Sequence, residues 1–199
     1  EAVRLTFHSP LLGYQYEKRF SLDGSALVCD YSIDNPTGSA IPALWVCHAL
    51  VRAEPSMRIC LPPEVETVQN TFSSDWLGEA KRLLPYPVAE GPRGRIRLDR
   101  MPADGQLKFY VHGKTAAGWC GYEYPAQGVR VLLRSDPHAL PYLGFWATAG
   151  GYRGDVNCAL EPANGYYDSI PNALEWNACP VLEPGGRWEF QLKFVFSGI

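Results

Sequence analysis

Proline and glycine break this chain at short intervals, 17 and 19 of them in 199 residues. Between the breaks, apolar residues almost never recur at helical spacing. Proline removes a backbone donor and glycine weakens a helix interior, so dense punctuation of this kind favours short extended segments. The runs between the breaks are rich in β-branched and aromatic residues, which suit a pleated, half-buried surface. Ala26–Ile33 (ALVCDYSI), Arg95–Leu98, Leu107–Val111 (LKFYV), Val129–Leu133 (VRVLL) and Trp188–Phe196 (WEFQLKFVF) are of this kind. In the last, Trp188, Phe190, Leu192, Phe194 and Phe196 alternate with Glu189, Gln191, Lys193 and Val195. A period of two sends one set to a core and the other outward. Strands between frequent turns predict an all-β fold, an antiparallel sandwich or a barrel-like relative of one.

Asn35–Ser39 (NPTGS), Pro62-Pro63, Pro85–Pro92 and Pro184-Gly185-Gly186 read as turns or loops. Ser73–Leu84 is the one segment expected to form a short helix, with Ser74 or Asp75 as its cap and Gly78 weakening it. No internal repeat, low-complexity linker or domain boundary is visible. The length suits a single domain with a substantial core.

Composition narrows the function classes. With 46% hydrophobic and 20% charged residues the chain is expected to be globular. A net charge of -3 without a basic run argues against nucleic-acid partners. No apolar window reaches the roughly 18 to 20 residues a membrane helix needs, so no membrane association is expected. The opening EAVRLTFHSP lacks the basic start and apolar core of a signal peptide, and there is no initiator Met. The six cysteines, Cys29, Cys47, Cys60, Cys120, Cys158 and Cys179, form no CxxC pair, which disfavours a zinc site. Buried free thiols in a reducing, cytoplasmic setting are expected, although an even count leaves disulfides open for an exported chain.

The stretch from Tyr142 to Ile170 carries most of the chemical signal. It sets Glu161 at the end of an apolar run and before a Pro/Asn/Gly turn, with Trp146, Tyr152, Tyr166 and Tyr167 nearby in sequence. Aromatic faces cover the C–H patches of a pyranose, and a carboxylate takes a hydroxyl proton. A surface Glu at a strand end is the plainer alternative. Glu123 is a weaker candidate base, and Asp168 in Tyr-Tyr-Asp-Ser suits a turn cap.

His48 is the candidate proton donor. It interrupts the otherwise apolar Ala43–Leu50 run, and an imidazole titrates near neutral pH. Its alternative is a core histidine held by backbone partners. Arg52 follows four residues later; on a strand that even offset would put both on one side. Arg52, Lys114 or Arg153 would contact a sugar hydroxyl or a phosphate, with solvated surface charge as the alternative for each. Trp45, Trp146 and Tyr152 are candidates for substrate contact. No GxSxG, P-loop, HExxH or helix-opening GxGxxG is present, so hydrolase triads, NTPases and dinucleotide enzymes lose weight.

Taken together, these segments resemble the aldose 1-epimerase (galactose mutarotase-like) family. Asn-Pro-Thr followed by Ile-Pro-Ala-Leu-Trp and His48 is similar to the family's segment bearing its acid histidine. Leu-Pro-Tyr-Leu-Gly-Phe-Trp with Gly150-Gly151 is similar to the strand leading to its base. Ala-Leu-Glu161-Pro-Ala-Asn-Gly-Tyr-Tyr-Asp-Ser is similar to its Glu motif with a downstream Asp. The likeness runs from Leu22 onward and thins between Arg52 and Arg134. It departs from the family at Ala49 and Leu50, where a Pro or an aromatic residue is usual after the histidine. The family's N-terminal strands, with a sugar-binding Arg and often a His, have no counterpart. The resemblance implies that residues 1–199 form a single β-sandwich domain, expected to be the C-terminal portion of a longer fold. It also implies anomer interconversion of an aldose with His48 as acid and Glu161 as base, Trp45, Arg52, Trp146 and Tyr152 on the sugar, and no cofactor. A non-catalytic sugar-binding or regulatory domain, and a sandwich interaction domain with no sugar site, stand as the alternatives.

Overall fold

A computed structural model describes all residues 1–199. In chain order the first strands are β1 (Ala2–His8), β2 (Gln15–Asp23), β3 (Ala26–Asp34), β4 (Ile41–Pro42), β5 (Val51–Arg52), β6 (Arg58–Cys60) and β7 (Thr67–Asn70). Next come β8 (Leu83–Pro85), β9 (Val88–Gly91), β10 (Gly94–Arg97), β11 (Gly105–Val111), β12 (Trp119–Tyr124) and β13 (Val129–Ser135). β14 (Tyr142–Ala149), β15 (Val156–Ala163), the single helix α1 (Ile170–Glu175), β16 (Val181–Leu182) and β17 (Arg187–Gly198) complete the chain.

Two antiparallel sheets face each other. One has the order β1-β2-β3-β17-β13-β12-β6, the other β5-β15-β14-β11-β7-β8. β9/β10 and β4/β16 form two separate small ribbons. This is the expected all-β sandwich. From Trp188 to Phe194 the alternation at the chain end falls as the period of two requires, with Trp188, Phe190, Leu192 and Phe194 between the sheets and Glu189 and Gln191 in solvent, whereas Phe196 at the strand end is 47% exposed. The core lies between Cys29, Leu133 and Leu192 of the first sheet and Leu107, Phe109, Phe145 and Leu160 of the second. Trimming Phe145, with no exposed surface, to Ala would cost about 3–5 kcal/mol, because the cavity cannot collapse fully.

The second sheet is covered on its far side too. The chain after β15 folds back over it and builds a tyrosine cluster of Tyr110, Tyr142, Tyr166 and Tyr167. Tyr166 donates its hydroxyl to Gln69 Oε1, and Tyr167 donates to the Asn70 carbonyl. A central strand buried on both faces reads as an apolar run, which is why β15 and β14 look alike in sequence.

Two local expectations are corrected. Ser73–Leu84 is not helical: Gly78 and Lys81 have φ of 80° and 64°, and Ser74 and Gly78 bond each other as an isolated bridge. The Asn70 amide then ties the Gly78 and Glu79 carbonyls into that loop. The helix forms instead at Ile170–Glu175, where Ser169 caps Asn172 N–H and a proline stands in the first turn. Pro85–Pro92 is not wholly a loop either, since Val88–Gly91 pairs with β10. All six cysteines are free, and four are buried. No helix is long and apolar enough to cross a membrane.

Candidate active site

The site lies on the outward face of the second sheet, where three strands stack their side chains in rows. Antiparallel register sets Glu161 of β15 beside Gly144 of β14, and Gly144 beside Tyr110 of β11. The next row holds Ala159, Trp146 and Lys108, and the third Asn157, Thr148 and Gln106. Gly144 is the hinge of the arrangement. A Cβ there would lie 2.9 Å from Tyr110 Cζ and 3.1 Å from Glu161 Oε2. Without one, the phenol and the carboxylate close over the strand, and Tyr110 donates to Oε2 at 3.4 Å.

His48 reaches the same place from a loop. Val46 bridges Ala163, and Cys47 N–H donates to the Pro162 carbonyl at 3.0 Å. Trp45 N–H donates to Asn164 Oδ1 at 2.7 Å. This segment therefore runs along the end of β15 in extended form, and its side chains alternate. Trp45 and Cys47 turn inward, and His48 turns to the site. His48 Nε2 stands 3.2 Å from Glu161 Oε1, with the imidazole side chain 46% exposed and the carboxylate 0%. The approach has ion-pair distance but not hydrogen-bond alignment, so Oε1 is a buried acceptor without a hydrogen-bond partner.

The other carboxylate oxygen is occupied. Lys108 Nζ lies 3.0 Å from Glu161 Oε2 and 2.5 Å from Asp168 Oδ1. Burial pushes the Glu161 carboxyl above its usual range, against the pull of Lys108 and then His48. Burial pulls the Lys108 ammonium down, but Glu161 and Asp168 outweigh it and hold it above the ordinary lysine value. Burial, then Glu161 and Asp168, drive Tyr110 upward, so it remains a hydroxyl donor. The Cys47 thiol is pushed up to about 11, chiefly by burial, which keeps it protonated and inert. No group of three or more His, Cys, Asp or Glu side chains is arranged to hold a metal.

An aromatic wall borders the pair. The His48 ring centroid is 5.6 Å from Trp146, and Trp146 is 6.0 Å from Tyr152 in an edge-on arrangement. Tyr152 rides on the exposed turn after β14, where its N–H donates to Thr148 Oγ1 and the Arg153 guanidinium lies over its ring.

Four of the residues singled out from sequence thus converge: His48, Glu161, Trp146 and Tyr152. Two do not. Trp45 packs edge-on against Tyr31 and Phe190 and donates Nε1–H to Tyr16 OH, inside the sandwich. Arg52 lies on the site face opposite Asn157, but its side chain is 86% exposed and reaches only Glu54, at 3.8 Å. The even spacing from His48 does not set Arg52 beside it, because the chain between them is a loop until β5 begins at Val51. Lys108 and Tyr110 were not singled out. Their signal was present: Lys108 is the one charge in the apolar and aromatic run LKFYV of β11.

No family profile and no curated protein matches the chain in sequence. Solved structures do match it in shape. A galactose mutarotase-like protein from Lactobacillus casei ATCC 334 superposes with a TM-score of 0.72 at 16% identity, over 98% of this chain and 70% of that one. The chain has the galactose mutarotase-like fold. Slr1438 protein from Synechocystis sp. PCC 6803 gives 0.71 at 15% identity, and an Escherichia coli K12 protein provisionally named an aldose 1-epimerase gives 0.69 at 17%. All of this chain is covered in both, but only 61% and 65% of theirs. The galactose mutarotase-like fold is therefore present here over less than two thirds of those two chains.

Proposed function

We propose that this chain carries an aldose 1-epimerase-like site that interconverts the α and β anomers of an aldose or a related sugar. The observation that supports it best is the pairing of His48 Nε2 with the unbonded, buried Oε1 of Glu161 beside Trp146. Glu161 Oε1 takes the proton of the anomeric hydroxyl. His48 gives a proton to the ring oxygen as the C1–O5 bond breaks. The open aldehyde turns about C1–C2, and closure on its other face returns both protons. The reaction starts from a carboxylate and an imidazolium, the two states that attract each other across 3.2 Å. A proton shuttle of this kind needs no metal or organic cofactor. The free cysteines fit a reducing compartment, the cytoplasm.

A separation of 3.2 Å leaves no room for a sugar oxygen between acid and base. Sugar reaches Oε1 with the part-exposed His48 side chain swung aside. The same covering of Glu161 is the observation that favours a second reading, a sugar-binding or regulatory domain without turnover.

Anomer exchange measured by NMR with glucose, galactose and a hexose 6-phosphate separates the two. Glu161→Gln and His48→Asn are each expected to slow exchange by about two to four orders of magnitude. Near-wild-type exchange in either variant would remove that residue from the mechanism. Sugar binding without any acceleration by the folded wild type would favour the second reading.

A further inference from the structure

Lys108 is the residue that this reading of the site leaves unexplained, and the inference here rests on Glu161 as its base. The lysine stands beside Trp146 in a central strand, its side chain 13% exposed. Burying an ammonium there costs hydration and side-chain freedom, and an apolar residue would fill the space at less cost. Its contacts are specific: Glu161 Oε2 at 3.0 Å and Asp168 Oδ1 at 2.5 Å.

We propose that Lys108, anchored by Asp168, is the positioning residue of the site: it grips Glu161 through Oε2, opposes the carboxylate charge, and leaves Oε1 as the basic atom turned towards substrate. The division between the two oxygens is what carries this. Oε2 is ion-paired with Lys108 at 3.0 Å and accepts from Tyr110, whereas Oε1 has no hydrogen-bond partner and faces His48. The groups facing Glu161 come from three places. Lys108 and Tyr110 belong to β11, Cys47 and His48 to the loop before β5, and Asp168 to the segment after β15. Among them Lys108 alone is a permanent cation, since Tyr110 and Cys47 are held neutral and Asp168 repels. Asp168 acts on Glu161 unfavourably through its charge; its useful contact is the one that aims the Lys108 ammonium.

The test uses protein with ¹³C-labelled Glu side chains, titrated by NMR without substrate. In Lys108→Met the Glu161 midpoint is expected to rise by about one to three pH units, and in Lys108→Arg to stay near the wild-type value. The acid limb of kcat/KM for anomer exchange should move the same way in Lys108→Met. An unchanged Glu161 midpoint in folded Lys108→Met would overturn the proposal. Should that variant not fold, the unaltered protein still decides: the ¹⁵Nζ resonance of Lys108 should step at the Glu161 midpoint, and no step there overturns the assignment. Because the carboxyl titration needs no turnover, a raised midpoint with no anomer exchange in the wild type would sink the isomerase reading and leave the role of Lys108 standing.

Discussion

A carboxylate with no exposed surface and a raised pKa makes stability depend on pH in an unusual direction. Folded Glu161 binds its proton more tightly than unfolded Glu161. Its contribution is therefore most favourable below the ordinary value of about 4.3 and declines as pH rises through the raised one. Glu161→Gln removes that decline. The variant is expected to gain in Tm on the wild type between about pH 4.5 and pH 7.5, and a Tm difference equal at both would contradict the assignment. At this scale the sequence was partly legible. Glu161 announced itself as a lone charge closing an apolar run, and His48 likewise. The oxygen-by-oxygen division of Glu161 was not, because Lys108 and Asp168 lie 53 and 7 residues away from it in sequence and only strand register and the returning loop bring them together.

Among the elements, β14 does most to shape the site. Gly144 and Trp146 sit two residues apart, so both face outward, one by leaving space and the other by filling it. Gly144→Ala drives a methyl to 2.9 Å from the buried Tyr110 ring. A destabilisation of about 1–3 kcal/mol is expected from such overpacking, together with loss of the Tyr110–Glu161 contact. Urea unfolding measures the first, and a melting curve like that of the wild type would show the strand adapting. Strand existence was readable from alternation, as in β17. The short pieces were not: β5 and β4 have two residues each, too few for any period to show. The misplaced helix has a similar cause. Residues 73–84 carry good helix formers, but positive φ at Gly78 and Lys81 decides the path, whereas Ser169 and the following Ile-Pro mark the true start more quietly.

For the molecule as a whole, the sandwich was legible because punctuation and composition act everywhere along the chain, while a site depends on a few meetings. One edge of the first sheet stays open. β1 pairs only with β2, and Val3, Leu5 and Phe7, on the inward side, are each more than half exposed. An unpaired apolar edge invites contact with another chain. Leu5→Lys is expected to lower the light scattering of concentrated solutions; an unchanged concentration dependence would show that the edge is inert. The turn that carries Tyr152 has a different consequence. It presents Arg153 and Gly154 exposed to solvent at the rim of the aromatic wall, so a trypsin digest becomes a footprint of that wall. On the proposed function, a sugar lying on Tyr152 is expected to shield the Arg153–Gly154 bond, so that the rate of that one cut falls as sugar is added; a rate indifferent to sugar would count against Tyr152 as a contact.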